Sequence, residues 1–481
     1  MSAADAIDEQ PRIDLPLAVD LDGTLIRCDL FFEAILRLAF ASPWRIPLLL
    51  GWLLRGRAYA KQRLAESRQL DAALLPYDER VLDWLRQEDG RGRTLVLATA
   101  SDRRAAQIVA DHVGVFDLVF ASDGATNLKA ARKAERLAQA FPDGFVYAGN
   151  EGADMAVWGR AARAVVANAS PAIERAAERS FEIEKTFARE GGGASALLQA
   201  MRPQHWLKNL LVFAPMLAGQ GWDEPVAWAG ALLAFAALSL VASGVYLVND
   251  AADIDADRRH PRKRARPFAS GALSPAWGLG AAGVLVGLGL VLADLAGVLP
   301  LTILYLAATT AYTFWLKRLV LIDVFVLAGL YAIRVVIGGV AAGFPASDWL
   351  LAFSGFLFLS LALVKRAAET RDLALRAGGA VEGRGYLSSD TGALTMMGVS
   401  AGFVAALVLA LYLQDDVVAA NYRRPLMLWV LPGACVLWIC RLWLKVARGN
   451  MDDDPILAAV RDPWSWVIAG VAALCFLAAV Y

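Results

Sequence analysis

The sequence predicts two unlike halves in one chain. An α/β Rossmann-like domain on a parallel sheet comes first, and an all-α transmembrane bundle of about nine helices follows. Three observations carry this expectation. Charged residues are spread evenly up to about residue 190 and are then confined to short loops. From about residue 205 those loops separate apolar runs long enough to cross a bilayer. In the first half, the apolar stretches LPLAVDLDGTLI (15–26), TLVLATAS (94–101) and GFVYAGNEGAD (144–154) each end in polar or glycine-bearing residues, as buried strands do at a sheet edge. The divisions are a polar tail at 1–14, the α/β domain at 15–185, a linker at 186–200 and the membrane domain at 201–481.

Val226 to Val248 carries no charge and is long enough to span as a helix. Comparable runs lie at about 276–293, 301–316, 319–343, 349–364, 393–413, 426–440 and 464–481, and a shorter one at 207–221 completes nine. The basic clusters at 257–266, 316–318, 365–376 and 441–448 then fall in loops on one side, which the positive-inside rule makes cytoplasmic. The expected location is the inner (cell) membrane, with the N-terminal domain on the cytoplasmic side. Arg423 and Arg424 are the exception, in a loop shared with Asp415 and Asp416. Asp323 and Arg334, eleven residues apart inside the fifth run, are spaced to share one helix face.

Lys plus Arg and Asp plus Glu both number 47, so no global field draws nucleic acid. The four cysteines (Cys28, Cys435, Cys440, Cys475) have no metal-ligand spacing and no disulfide framework. The first residues, MSAADAIDEQPRID, are acidic and polar, unlike a signal peptide.

The first strand delivers Asp20 and Asp22, two residues apart, to a glycine turn. Two carboxylates so placed suit a nucleophile and an acid/base sharing a Mg²⁺ site. With the hydroxyls of 94–101, the basic helix NLKAARKAERL (127–137) and the acidic loop of 144–154, the region 15–175 resembles the haloacid dehalogenase superfamily of phosphatases. The resemblance implies Asp20 as phosphorylated nucleophile and Asp22 as general acid/base. It implies Thr99 and Lys133 as phosphate ligands, with Lys129 second to Lys133, and Asp154 as a Mg²⁺ ligand. Where that family has GDxxxD, this chain has Gly149-Asn150-Glu151-Gly152-Ala153-Asp154. Asn150 offers an oxygen without a charge, and Mg²⁺ is expected to bind more weakly there. The insert at about 30–80 is helical and apolar, where that superfamily places a cap. Two readings stay open for it: a helical cap packed on itself, or a cap resting on a membrane surface.

Four aspartates crowd residues 250–257, and six Lys/Arg and a histidine follow by 266. If the preceding helix continues, Asp250, Asp253 and Asp257 form one carboxylate face, suited to Mg²⁺ and a diphosphate. Asp255 falls off that face. The following bases, Lys263, Arg264 and Arg266, suit phosphate oxygens. NDxxDxxxD from Asn249 to Asp257, with the nine-span count, resembles the UbiA superfamily of intramembrane prenyltransferases across about 198–481. In place of that family's second aspartate pair this chain has Lys365-Arg366-Ala-Ala-Glu369-Thr-Arg-Asp372. Arg202-Pro203, Trp206, Lys208-Asn209, HPxKRxRP, Tyr312 with Lys317, Asp323 and KRxxE resemble the decaprenyl-phosphate phosphoribosyltransferases.

That resemblance implies transfer of 5-phosphoribose from phosphoribosyl diphosphate to a polyprenyl phosphate. Asp250 and Asp253 would be catalytic, Asp250, Asp253, Asp257 and Glu369 metal ligands, and Asn249, Lys208, Tyr312, Lys317, Lys263, Arg264, Arg266, Lys365 and Arg366 substrate contacts. The surplus of bases favours a donor and acceptor rich in phosphates. The N-terminal domain would remove the 5-phosphate from the product. The rival expectation is an aromatic prenyltransferase using a prenyl diphosphate, with an inactive or regulatory N-terminal domain. A transporter is disfavoured because the acids gather at a membrane boundary rather than at its midplane.

Overall fold

The computed structural model describes residues 15–67, 70–375, 385–415, 420–451 and 455–481. The tail 1–14, Arg376 and Asp416 lie outside the described residues. Six short strands form one parallel sheet: β1 (Leu17–Val19), β2 (Leu95–Asp102), β3 (Leu118–Ser122), β4 (Val146–Gly149), β5 (Arg163–Ala167) and β6 (Ile183–Phe187). Their order is β3-β2-β1-β4-β5-β6. The winding reverses between β1 and β4. In such sheets ligands bind beyond the carboxyl ends of the strands at that reversal, and there the loops after β1 and β4 carry Asp20-x-Asp22 and Asn150–Asp154.

The strands alternate faces with a period of two. Leu17, Val19, Leu95, Leu97, Val146 and Ala148 pack against Val81, Leu85 and Val109 on one side. Ala18, Val96 and Tyr147 pack against Ala134, Leu137 and Trp158 on the other. Both faces are covered, as a parallel sheet requires.

The insert between β1 and β2 contains three helices, Leu30–Ala41, Ile46–Leu54 and Arg57–Ser67. Asp29 caps the first by accepting from the Phe32 amide at 3.0 Å. Leu38, Leu49 and Leu64 form the insert's own small core. Trp44 (73% exposed), Leu48, Leu50 and Leu54 (90%) face away from it. The expected linker holds the end of β6 and the start of a helix at Gly193–Met201.

The chain divides into two compact units: Met1–Met201 with Leu247–Ala281, and Arg202–Tyr246 with Ala282–Tyr481. The aspartate-rich loop therefore packs with the α/β domain, although it lies between two apolar helices in sequence.

Among the described residues, seven helices are long and apolar enough to cross a membrane: Pro225–Ala252, Pro275–Leu295, Ile322–Ala342, Asp348–Asp372, Ser388–Tyr412, Pro425–Ala447 and Pro463–Val480. An eighth apolar helix, Leu299–Phe314, has 16 residues and reaches about 24 Å. The ninth expected span, 207–221, takes another form. It is a 3₁₀ segment at Pro203–Phe213 followed by a five-residue α-helix at Ala214–Ala218. Pro215 lacks an amide to continue the ladder, and buried Asn209 is tied sideways to Ser239 at 3.0 Å.

This segment crosses the helix Ile322–Ala342 at Gly338, where a Cβ would stand 1.9 Å from the Val212 carbonyl oxygen. Such close approach through a small residue is how apolar helices pack without a hydrophobic drive. Gly338→Ala should cost about 1–3 kcal/mol and lower the thermal midpoint of the detergent-solubilised chain. Gly283→Ala, with open space at its Cβ, should leave it unchanged.

Candidate active sites

In the α/β domain, burial and charge meet at the end of β1. Asp20 is buried, and Lys133 Nζ donates to its Oδ1 at 2.7 Å. Lys133 also donates to the Tyr147 hydroxyl at 2.7 Å, which donates to Asp154 Oδ1 at 2.8 Å. Asp154 Oδ2 accepts from the amides of Asn150 and Glu151 at 2.9 and 3.0 Å, so Asp154 braces its own loop. Asp22 accepts from the Leu30 amide at 2.9 Å and from Ser101 Oγ at 2.5 Å. Thr99 is buried and its hydroxyl oxygen accepts from the Ser101 amide at 3.0 Å, leaving its proton to donate. Lys129 is occupied elsewhere, 2.8 Å from Glu151.

Burial pushes Asp20 up to about 7, although Lys133 pulls it down. Burial, then the charge of Asp29, pushes Asp22 up to about 6. Asp22 thus keeps a proton to higher pH than an exposed aspartate. Gly23 has φ +79°, and a Cβ there would lie 2.1 Å from Asn150 Nδ2. The glycine of the turn therefore serves both backbone and space. Asn150 Oδ1 is buried with no hydrogen-bond partner. An orphaned buried acceptor beside two carboxylates is a donor set that fits a hard cation such as Mg²⁺.

The aspartate-rich loop is held on the insert. Arg258 donates to both oxygens of Glu33, at 2.6 and 2.9 Å, with 4% and 2% of the two side chains exposed. Its Nε donates to the Ala269 carbonyl at 3.0 Å, pinning the far arm of the loop. Arg37 forks onto Asp255 at 2.8–3.1 Å and reaches Glu33 at 3.0 Å.

The helix Pro225–Ala252 ends before Asp253, and a short helix restarts at Ile254–Arg259. Asp250 and Asp257, both buried, converge on one nitrogen: Arg266 Nη1 lies 3.3 Å from Asp250 Oδ1 and 2.7 Å from Asp257 Oδ2. A guanidinium nitrogen stands where a cation between the two carboxylates would sit, so these residues fit a divalent metal. Among the described residues, no three metal-ligating side chains gather in this arrangement. Asn249 is half-buried beside Asp250, and Lys263 and Arg264 are exposed on the following turn.

Within the membrane unit two buried arginines organise polar networks. Arg366, 1% exposed, donates to Asp323 at 2.5 Å, Glu369 at 2.6 Å and the Tyr312 hydroxyl at 2.6 Å. Tyr386 donates to the other Asp323 oxygen at 2.6 Å. Arg334 donates to Asn209 at 2.9 Å and to the Tyr305 hydroxyl at 2.8 Å. Asp323 and Arg334 each have their own partners and form no pair. Eleven residues of helix separate them by about 16 Å along the axis. Lys208 Nζ lies 5.9 Å from the Tyr331 ring centre. Lys317 and Lys365 are half-buried.

The family model of the UbiA prenyltransferases matches residues 210–461. The chain belongs to the UbiA prenyltransferase family. The uncharacterized protein y4nM of Sinorhizobium fredii is 35% identical over 470 residues, covering 97% of this chain and 91% of that protein. The nodulation protein NoeC of Azorhizobium caulinodans is 40% identical over 280 residues, 57% of this chain and 90% of NoeC. The decaprenyl-phosphate phosphoribosyltransferase of Mycolicibacterium smegmatis is 39% identical over 212 residues, 42% of this chain and 65% of that enzyme. In this UbiA-family protein the matched region contains the aspartate-rich loop, the Arg366 network and Arg334 with Tyr305, whereas Asn209, Asp20, Asp22, Lys133 and Asp154 precede it.

Sequence reasoning missed Tyr147 and Ser101. Tyr147 was visible as the only hydroxyl in the strand feeding Asn150–Asp154, and Ser101 as the last hydroxyl of TLVLATAS. Nothing in sequence pointed to the partnership of Glu33 with Arg258, 225 residues apart.

Two outcomes follow from the geometry. Asp22 has a folded value of about 6 against an ordinary 3.8. The stability tied to its neutral form is therefore complete below about pH 3.8 and lost as pH rises through 6. Asp22→Asn, which removes the buried charge, should melt a few degrees above the parent at pH 8, with the gap closing by pH 4. Glu33→Ala should destabilise by about 3–5 kcal/mol by leaving Arg258 buried without its carboxylate. Glu33→Ala combined with Arg258→Met should recover much of that loss in denaturant titrations.

Proposed function

We propose that the membrane domain transfers 5-phosphoribose from phosphoribosyl diphosphate to a polyprenyl phosphate, and that the N-terminal domain is a haloacid dehalogenase-type phosphatase that removes the 5-phosphate from the product. The observation that carries the first activity is the convergence of buried Asp250 and Asp257 on one cationic position. The 39% identity to a decaprenyl-phosphate phosphoribosyltransferase supports the choice of donor.

In the transfer, a phosphate oxygen of the lipid attacks C1 of the ribose. The C1–O bond to diphosphate breaks, and diphosphate leaves with the bonding pair. Mg²⁺ held by Asp250 and Asp257, with Asp253 as a further oxygen ligand, would supply neutralisation of the departing charge. Lys263 and Arg264 supply charge for the remaining phosphates, and Arg266 offers a fork for phosphate oxygens. Asn249 adds a polar contact beside Asp250. Arg366 acts through its partners, fixing Tyr312 and Glu369.

In the phosphatase step, an Asp20 oxygen attacks the 5-phosphate phosphorus. The sugar 5-oxygen leaves, taking the proton of Asp22. Water, deprotonated by Asp22, then cleaves the aspartyl phosphate and releases inorganic phosphate. Lys133 and Thr99 stabilise the phosphoryl oxygens. A Mg²⁺ at Asp20, Asp22 and Asn150 would supply further charge, with Asp154 holding the loop in register.

We assign both sites to the cytoplasmic face of the cell membrane from the basic loops. The exposed Trp44, Leu48, Leu50 and Leu54 of the insert, flanked by Arg45, Arg55 and Arg57, support its resting on the bilayer surface.

Incubation with labelled phosphoribosyl diphosphate, polyprenyl phosphate and Mg²⁺ tests both activities. Asp250→Ala should cut label entering lipid by about 10²-fold or more. Asp20→Asn should leave incorporation intact and accumulate the 5-phosphorylated lipid. No lipid label from the parent protein would overturn the transfer in favour of a prenyl diphosphate donor. Full dephosphorylation by Asp20→Asn would overturn the phosphatase assignment.

A further inference from the structure

Asp255, off the carboxylate face in sequence, faces a second site. The insert, the end of β2 and the short helix Ile254–Arg259 enclose a cavity of about 410 Å³. That size falls within the range of small-molecule sites. Its floor includes Leu30 and Ser101, whose amide and hydroxyl are the two hydrogen-bond donors to Asp22. Its wall from the aspartate-rich loop consists of Asp255 and Arg259. Asp255 is clamped by the Arg37 fork at 2.8–3.1 Å, which fixes that wall to the insert.

Arg45, from the insert, and Arg259 line the same cavity, and both are exposed. Among the described residues neither has a carboxylate within ion-pair distance, whereas on the same lining Arg37 has two, Glu33 and Asp255, and Arg104 has one, Glu66. Two guanidiniums on one lining without ion-paired acids leave positive charge that an anion in the cavity can meet. One end of the cavity therefore abuts the proposed acid/base, and its lining carries two bases matched to a second negative group.

We propose that this cavity binds a sugar phosphate carrying a second, diester-linked phosphate. The ribose would lie in the cavity with its 5-phosphate toward Asp20, and the lipid phosphodiester would meet Arg45 and Arg259. The loop that supplies Asp250 and Asp257 to the transferase thus supplies a specificity wall to the phosphatase. This rests on the phosphatase reading above and adds to it the selection of the doubly anionic headgroup.

The test uses the full-length protein in detergent with Mg²⁺ and two soluble substrates: ribose 5-phosphate, and ribose 5-phosphate bearing a methyl phosphodiester at C1. Release of inorganic phosphate gives KM for each. The parent protein should show a KM at least about tenfold lower for the diester compound. Arg259→Ala and Arg45→Ala should each collapse that ratio toward one, with the change in KM and not in kcat, and Arg259→Lys should restore most of it. Ser42→Glu, which places a negative charge on the same lining, should raise KM for the diester compound and provides the reading if an arginine variant fails to fold. A ratio near one in the parent protein, or a ratio that survives in the folded variants, overturns the site while leaving the phosphatase assignment standing. No phosphate released from either compound overturns the phosphatase assignment and the site together.

Discussion

The ion pair between Glu33 and Arg258 is the constraint on which the first unit depends. Each charge is almost wholly removed from water, and each would be costly to bury alone. The two-point fork satisfies both, and only one placement of the loop on the insert allows it. Arg258 then spends its third nitrogen on the Ala269 carbonyl, fixing the other arm of the loop. Through this contact the geometry of Asp250 and Asp257 is set by residues of the same unit that lie more than two hundred positions earlier in the chain.

The same device recurs at each proposed centre. Asp20 is held by Lys133, the pair Asp250 and Asp257 by Arg266, and Asp323 by Arg366, at distances of 2.5–3.3 Å. A buried carboxylate facing a single base has a partner at low local dielectric, and an incoming cation or phosphate can exchange with that base. The centres differ in access. Arg266 is 28% exposed and can turn toward a ligand, whereas Arg366 is enclosed by its three partners and can only position them.

Much of this was legible in the sequence because it depended on local periodicity. The strands of 15–26, 94–101 and 144–154 showed themselves as apolar runs ending in chemistry, and seven of the nine expected spans as long apolar helices. The segment at 203–218 did not, since apolar composition cannot distinguish a spanning helix from a 3₁₀ stretch held by a buried Asn209. Asp323 and Arg334 looked like partners because one helix was considered by itself. Their actual partners, Arg366 and Asn209, come from other elements. Asp255 lay off the carboxylate face for a reason that only the Arg37 fork makes visible. Spacing along one helix is readable, but pairing across hundreds of residues is not.

The assignment of Leu247–Ala281 to the first unit also bears on biosynthesis. Glu33 leaves the ribosome more than two hundred residues before Arg258 does, and the segment bearing Arg258 follows an apolar helix. The α/β domain can close its sheet early, from contacts within its first 201 residues, but it lacks one wall of its cavity until that later segment is made. Its final contacts are of long range and form late. Glu33 and Arg37 therefore wait, as buried-to-be charges on an already folded domain, for a loop whose arrival reports that the chain has passed through its first long apolar helix.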